Sequence, residues 1–129
     1  QTCALPILTP MIERAALYVG PDTSVTHLAA ATGAPTLALF GPSSPVTWGP
    51  WPQDWHGSAD SPWRMTAPLQ RIGNVALLQG DHGRRIGCIP CTLEGCEQHT
   101  GSRSDCLDRL SPARVIAAAA QLLGVAAPA

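Results

Sequence analysis

The sequence contains no lysine, and charged residues of any kind are scarce. Only 13% of its 129 residues are charged, and eight basic against nine acidic residues give a formal net charge of −1. A protein that binds nucleic acid or an anionic membrane surface by electrostatic attraction needs a clear excess of basic residues. The charge balance therefore excludes nucleic acid as an expected partner.

Long hydrophobic runs are also absent, although 45% of the residues are hydrophobic. No run approaches the roughly 20 residues that a transmembrane helix needs. The hydrophobic content is nevertheless too high for a disordered chain. Together with the short length, this predicts one small globular unit without a transmembrane segment.

Aromatic residues make up only 5% of the chain, and all four tryptophans lie between residues 48 and 63. This stretch is also rich in proline, glycine and aspartate, so we interpret residues 46–68 as a long loop. Its tryptophans could stack on a nucleobase or a sugar. Such residues more often pack a loop onto the core, which is the role that we expect here.

The remaining pattern predicts alternating helices and strands. Helices are expected at residues 11–16, 25–32 and 111–124, and strands at residues 17–20, 35–40 and 74–79. Gly33 and Gly124 follow the last two helices and suit their left-handed ends. Apolar strands that flank a short helix and lack alternation predict a parallel strand–helix–strand unit, buried on both faces.

The loop after the first predicted strand combines small, hydroxyl and acidic residues. In open α/β sheets, ligands bind beyond the carboxyl ends of the strands. The backbone N–H groups of Ser24, Val25 and Thr26 would be free at the start of the next helix and suit a diphosphate. The alternative is an ordinary capped helix, with Asp22 as the cap and His27 in the core.

A second loop, Gly41-Pro42-Ser43-Ser44-Pro45, follows the next predicted strand and faces the same side of the sheet. It could line the ligand cleft or form a rigid turn, and both interpretations stay open.

Four of the five cysteines lie close together near the C-terminal third of the chain, at Cys88, Cys91, Cys96 and Cys106. They could hold a zinc ion, with His82 or His99 as substitute ligands, although their spacing is not that of a regular zinc knuckle. They could instead form two disulfides or remain free thiols, the alternative that we favour because the cytoplasm disfavours disulfides.

Residues 18–31 and 33–42 resemble the C-terminal lobe of the bacterial heptosyltransferase family. The family pattern has Asp, Ser or Thr, Gly, two variable residues and His, followed by a helix of small residues. A strand that ends in Phe or Tyr, Gly, Pro and Thr or Ser comes next. The similarity extends to the Trp48-Gly49-Pro50 segment, the cysteine elements and the final Ser-Pro-x-x-Val helix.

The resemblance implies a two-lobed GT-B glycosyltransferase built from Rossmann-like lobes. The fold class expected for this chain is α/β, a partial Rossmann-like lobe that forms the distal half of the donor-binding domain. The implied donor-binding residues are Asp22, Thr23, Ser24, Val25, His27, Gly41, Pro42 and Ser43. One departure matters: Ser24 stands where the family usually has Gly, and its Cβ narrows the approach of a phosphate to the backbone.

The implied reaction transfers a heptose from ADP-heptose to a lipopolysaccharide-core acceptor in the cytoplasm, at the inner face of the inner membrane. The general base of such enzymes lies in the other lobe, so we assign no catalytic residue and expect this chain alone to be inactive. No Asp-x-Asp metal motif occurs, which suits a metal-independent transferase. The rival interpretations are a small zinc-stabilised binding module and another nucleotide-sugar enzyme of the same architecture.

Residues 1–7, Gln-Thr-Cys-Ala-Leu-Pro-Ile, match the translated end of a common sequencing adapter. We therefore expect them to be an artefact, which would remove Cys3 from the cysteine count. Residues 8–129 would then be the distal part of the donor-binding lobe of a longer protein.

Overall fold

A computed structural model describes residues 5–58, 60–81, 87–93, 95–99 and 101–127, without the side chains of Leu5 and Pro6. The helices are α1 Leu5–Glu13, α2 Ser24–Ala31, α3 Pro45–Trp48, α4 Asp105–Asp108 and α5 Pro112–Leu123. The strands are β1 Tyr18–Pro21, β2 Thr36–Phe40, β3 Leu69–Ile72 and β4 Val75–Gln79.

The four strands form one sheet in the order β1-β2-β4-β3. β1, β2 and β4 are parallel, and β3 is antiparallel to β4. The predicted α/β class is confirmed, and this mostly parallel sheet is that of a partial Rossmann-like lobe. The predicted parallel connection from β1 through α2 to β2 is also confirmed.

Both faces of the sheet are covered, which explains why its central strands are apolar without alternation. On one face, Leu37, Ala76 and Leu78 pack against Ala118 and Leu122 of α5. The opposite face carries a second cluster, formed by Ala30, Ala38, Phe40, Trp63, Val75 and Leu77. Since alternate residues of a strand point to opposite faces, the two clusters make a helix–sheet–helix sandwich.

The N-terminal helix begins earlier than predicted. We expected a helix over residues 11–16 that starts at Thr9-Pro10, but α1 spans Leu5–Glu13 with Pro10 inside it. Proline removes one helical hydrogen bond, which normally argues against an interior position. Here Leu8 and Ile12, which lie one turn apart, pack in a hydrophobic cluster with Ala29 and Ala34.

The C-terminal helix agrees with the sequence at both ends and on part of its buried face. The Ser111 hydroxyl accepts a hydrogen bond from the Arg114 backbone N–H, and Gly124 takes a left-handed φ of 70°. We expected an apolar face formed by Val115, Ile116, Ala119, Leu122 and Leu123. Val115, Ala119 and Leu122 pack on the sheet as expected, together with Ala118, but Ile116 and Leu123 are exposed.

Three short elements were not predicted: β3, α3 and α4. β3 and β4 form a hairpin with Ile72 paired to Val75, so Gly73 and Asn74 are its two-residue turn. Gly73 has a φ of +54°, as such turns require. The Gly-Asn pair was therefore a readable signal, but the half-buried residues of β3 lack a clear alternation.

Of the predicted artefact at residues 1–7, residues 1–4 lie outside the described part of the chain, and residues 5–7 belong to α1. The origin of this segment stays a prediction. In the part of the chain that the structure describes, no helix is both long enough and apolar enough to cross a membrane.

Candidate functional site

Two loops meet at the carboxyl edge of the parallel strands. β1 and β2 are neighbours with Pro21 opposite Leu39, so the chain leaves both strands at the same edge. The first loop leads into α2 and the second into α3. The eight residues proposed from the sequence for donor binding lie in or next to these two loops, where ligands of open α/β sheets bind.

The start of α2 offers two backbone N–H groups. Thr23 is the N-cap, and its carbonyl accepts hydrogen bonds from the N–H groups of Thr26 at 3.0 Å and His27 at 3.3 Å. Thr26 is therefore not the free donor that we expected. The N–H groups of Ser24 and Val25 have no hydrogen-bond partner among the described residues. Together with the helix dipole, they can bind an anion.

The side chain of Thr26 holds this loop in place, a role that the sequence analysis missed. It is completely buried, and its hydroxyl donates to the Pro21 carbonyl at 2.5 Å. The same oxygen lies 3.2 Å from the Tyr18 hydroxyl and 3.3 Å from the Thr23 hydroxyl. These hydrogen bonds tie the end of β1 to the first turn of α2. The N–H groups of Ser24 and Val25 therefore have a fixed direction.

Asp22 and His27 form a partly exposed pair beside these donors. His27 Nε2 lies 3.9 Å from Asp22 Oδ1, and the two side chains are 42% and 23% exposed. Neither structural alternative from the sequence applies, because Thr23 rather than Asp22 is the N-cap and His27 is not in the core. The pair lies close enough for an ion pair when His27 is protonated.

Gly41 has a structural reason for being glycine. A Cβ at this position would lie 2.6 Å from Leu107 Cγ and 2.9 Å from Cys106 Sγ. The second loop therefore packs directly on α4. Just before this loop, the Phe40 carbonyl accepts a hydrogen bond at 2.8 Å from the N–H of Gly80, the residue that follows β4. This supports the rigid-turn interpretation at Gly41, while Pro42 and Ser43 remain half-buried at the edge.

The tryptophans differ in exposure, with Trp55 half-buried between the two extremes. Trp63 is 3% exposed and donates its indole N–H to the Pro50 carbonyl at 3.0 Å, which is the packing role that we expected. Trp48, at the end of α3, is 57% exposed, and Trp51 is 43% exposed.

The four clustered cysteines are not joined by disulfides, so the disulfide alternative is wrong. Cys106 is buried beneath Gly41, and the Asp105 backbone N–H donates to Cys96 Sγ at 3.4 Å. Burial raises the pKa of the Cys106 thiol above its usual range, and the negative charges that Cys96 and Cys91 can carry add to the rise.

The zinc alternative gains no support from the geometry. Among the described residues, no group of three or more His, Cys, Asp or Glu side chains is placed to hold a metal ion. His82, one of the candidate substitute ligands, lies outside these residues, and His99 pairs with Glu97 at 3.3 Å.

Comparison with known sequences finds a family profile and individual relatives that match part of the chain. Residues 3–63 match the profile of glycosyltransferase family 9 (heptosyltransferase). A lipopolysaccharide heptosyltransferase 3 of Escherichia coli is 39% identical over 46 residues, which are 36% of this chain and 14% of that protein. The lipopolysaccharide heptosyltransferase 3 of strain K12 is 39% identical over 49 residues, 38% of this chain and 14% of that protein.

The matched part thus spans about one seventh of the length of these relatives. No solved structure gave a significant match to the chain.

Proposed function

We propose that the chain is a member of glycosyltransferase family 9, whose profile matches residues 3–63, and that it forms part of the donor-binding lobe of a heptosyltransferase-like enzyme. The complete enzyme would transfer a heptose, or a related sugar, from a nucleotide-sugar donor to a lipopolysaccharide-core acceptor. It would act in the cytoplasm, with any membrane contact peripheral and made by the other lobe.

The observation that carries this proposal is the pair of N–H groups of Ser24 and Val25, which have no partner in the part of the chain that the structure describes. They lie at the N-terminus of an eight-residue helix, directly after a parallel strand, which is where α/β proteins bind phosphates. A nucleotide-sugar donor carries a diphosphate, and its departure leaves negative charge that these donors would stabilise. The Thr23 hydroxyl makes no cap bond and lies 3.3 Å from the Thr26 hydroxyl, so it would donate to a phosphate only in place of that hydrogen bond.

The other predicted residues would surround the diphosphate. Asp22 would lie beside the donor sugar, and His27 would brace the loop through Asp22, from which it lies 3.9 Å away. Gly41, Pro42 and Ser43 would form the adjacent wall, since they follow the neighbouring strand.

The chemistry is a displacement at the anomeric carbon by an acceptor hydroxyl. This step needs stabilisation of the leaving diphosphate and a group that accepts the hydroxyl proton. The loop at α2 would supply the first. We place the proton acceptor in the other lobe and expect the 129-residue chain alone to bind donor without turnover.

A matched pair of substitutions at Ser24 tests the diphosphate site. Ser24→Pro removes the backbone N–H donor at the first helical position, where proline is favoured, and the extended backbone of Thr23 suits a following proline. Ser24→Ala keeps the N–H. Since a hydrogen bond to a charged group contributes about 1.5–3 kcal/mol, we expect Ser24→Pro to weaken ADP binding by about tenfold or more.

Calorimetric titration of the three chains with ADP and ADP-heptose gives the affinities. Ser24→Ala should bind within about twofold of the parent chain, because an exposed alanine adds no contact. Equal affinities for all three variants would refute the assignment of this loop to the diphosphate.

A longer read of the source DNA upstream of Leu8 tests the proposal that this lobe belongs to a larger enzyme. We expect the frame to continue for roughly 200 residues and to encode another Rossmann-like lobe. A stop codon just upstream would instead leave a free-standing small domain and remove the transferase assignment.

A further inference from the structure

A groove lies next to the second loop of the proposed donor site and shares Pro42 and Ser43 with that site. Its walls come from the loop after β2, from α3 and from the residues that follow Cys91. The lining residues are Pro42, Ser43, Ser44, Trp48, Thr92 and Leu93.

One wall presents an indole from a fixed backbone. The Trp48 backbone N–H donates to the Ser44 carbonyl at 2.9 Å, and the buried Ser44 hydroxyl accepts from the Thr47 N–H at 3.3 Å. Trp48 nevertheless leaves 57% of its surface exposed, whereas Trp63 in the same tryptophan-rich stretch is 3% exposed. Hydrogen bonds therefore fix the backbone at Trp48, whereas the Trp48 side chain buries less than half of its surface against the protein.

Another wall of the groove has an uncommon backbone conformation. Thr92 has a φ of +58°, a region that is unfavourable for a β-branched residue. Its N–H donates to the Pro42 carbonyl at 2.8 Å, so the turn is anchored to the loop of the proposed donor site. Leu93, 42% exposed, follows directly. Such conformations persist where the surroundings hold them, and they concentrate at binding sites.

The polar side-chain groups of the groove are hydroxyls, and among the residues that the structure describes no charged side chain lines it. Among the described residues, the half-buried Ser43 hydroxyl has no hydrogen-bond partner, so it is free both to donate and to accept. The Thr92 hydroxyl donates to the Cys91 carbonyl at 2.7 Å and keeps its acceptor capacity.

We propose that this groove is a sugar subsite in which the apolar face of a sugar ring stacks on Trp48 while its hydroxyls bond to Ser43 and Thr92. An aromatic surface with a few placed hydroxyls matches a ring that has an apolar face and a polar edge. The inference rests on the proposed function, because the groove shares Pro42 and Ser43 with the donor site. The ring would belong either to the donor or to the acceptor glycan.

The test follows the indole N–H signals of the ¹⁵N-labelled 129-residue chain by NMR. The probes are free aldoheptose, ADP, ADP-heptose and a heptose-containing core oligosaccharide. The variants are Trp48→Ala and Trp48→Phe, with Trp51→Ala as the control, because Trp51 is also exposed but does not line the groove.

We expect the sugar-bearing probes, but not ADP, to shift the Trp48 signal. Trp48→Ala should lower affinity for the occupying sugar by about tenfold, Trp48→Phe should retain most of it, and Trp51→Ala should change nothing. If the ring is the donor's, Trp48→Ala brings ADP-heptose down to the affinity of ADP. If it is the acceptor's, only oligosaccharide binding falls.

The outcomes separate this inference from the proposed function. ADP binding without any sugar-dependent change at Trp48 overturns the subsite and leaves the donor site intact. Sugar-dependent shifts at Trp48 without ADP binding support the subsite and overturn the diphosphate assignment. A shift of the Trp48 signal by ADP alone would identify a base-binding site instead and also overturns the proposal.

Discussion

The β1–α2–β2 unit and the cysteine-containing segment, described at residues 87–93, 95–99 and 101–109, are held at the same edge of the sheet by different contacts. The unit is held by the parallel pairing of two strands and by the buried hydrogen bonds of Thr26. The described contacts of the segment with this edge are the hydrogen bond from the Thr92 N–H to the Pro42 carbonyl and the packing of Cys106 and Leu107 on Gly41, without strand pairing.

This difference shows where function can be read from local sequence. In the first unit, strand ends determine where the loop residues lie, and the family match at residues 3–63 covers it. The second segment lies beyond that match, and its residues join the site only through the fold. We therefore expect the unit to carry general diphosphate binding and the segment to adjust what binds beside it.

The largest expected effect comes from comparing a core substitution in the β1–α2–β2 unit with one in the cysteine-containing segment. Phe40 of β2 is completely buried, so Phe40→Ala should lower the free energy of unfolding by about 3–5 kcal/mol. Leu107 of α4 is only half-buried, and Leu107→Ala should cost about 1 kcal/mol. Urea denaturation measures both. Equal losses would show that the cysteine-containing segment is as much a part of the core as the sheet.

The second prediction concerns the junction of the two regions at Gly80. A Cβ there would meet the backbone carbonyl of Cys106, so Gly80→Ala should cost about 1–3 kcal/mol. Gly101 is the matched control, since its Cβ would lie 3.5 Å from His99 Nδ1, an ordinary contact. Gly101→Ala should change the unfolding free energy by less than about 0.5 kcal/mol.

Hydrogen exchange sharpens this test. We expect Gly80→Ala to increase amide exchange at residues 101–109 more than in β2, because it separates the segment from the sheet. Uniformly faster exchange would mean that the two regions unfold together.

The third prediction uses the buried thiol. Burial raises the folded-state pKa of Cys106, so the unfolded chain loses the thiol proton at a lower pH than the folded protein. The stability linked to this thiol is therefore complete below the unfolded thiol pKa of roughly 8.5 and is lost as pH rises through the folded pKa. Urea denaturation at neutral pH and near pH 10 measures the loss.

Cys106→Ala is the comparison for that measurement. It should start less stable at neutral pH, because it leaves a small cavity beneath Gly41, yet it should lose less stability at alkaline pH. An identical alkaline loss in the parent chain and the variant would assign the effect to other groups.

Sequence reasoning succeeded where one local rule decides the structure. Runs of apolar residues predicted β2 and β4, and Ser111 and Gly124 predicted the two ends of α5. It failed where tertiary contacts decide, as at Pro10 inside α1 and at the exposed Ile116. The site divides in the same way: the loop residues are local, but the Thr26 hydrogen bonds and the Thr92 wall depend on partners that only the fold provides.

The smallest expected effect bears on the one departure from the family pattern. Ser24→Gly removes the Cβ that limits the approach of a phosphate to the N–H groups of Ser24 and Val25, so ADP affinity should rise by a few fold. The same change should cost about 0.5–1 kcal/mol of stability, since glycine is a poor helix residue. Ser24→Ala, which keeps the Cβ, separates the two effects.

The direction of this change distinguishes two roles for the Ser24 side chain. If Ser24→Gly and Ser24→Ala both bind ADP more weakly than the parent chain, the hydroxyl itself contacts the phosphate and the departure is an added donor. If only Ser24→Gly binds more tightly, the side chain is a steric limit, and the first loop works through its backbone. The second result is the one expected, because the exposed Ser24 lies at the first position of α2, where its N–H already faces the site.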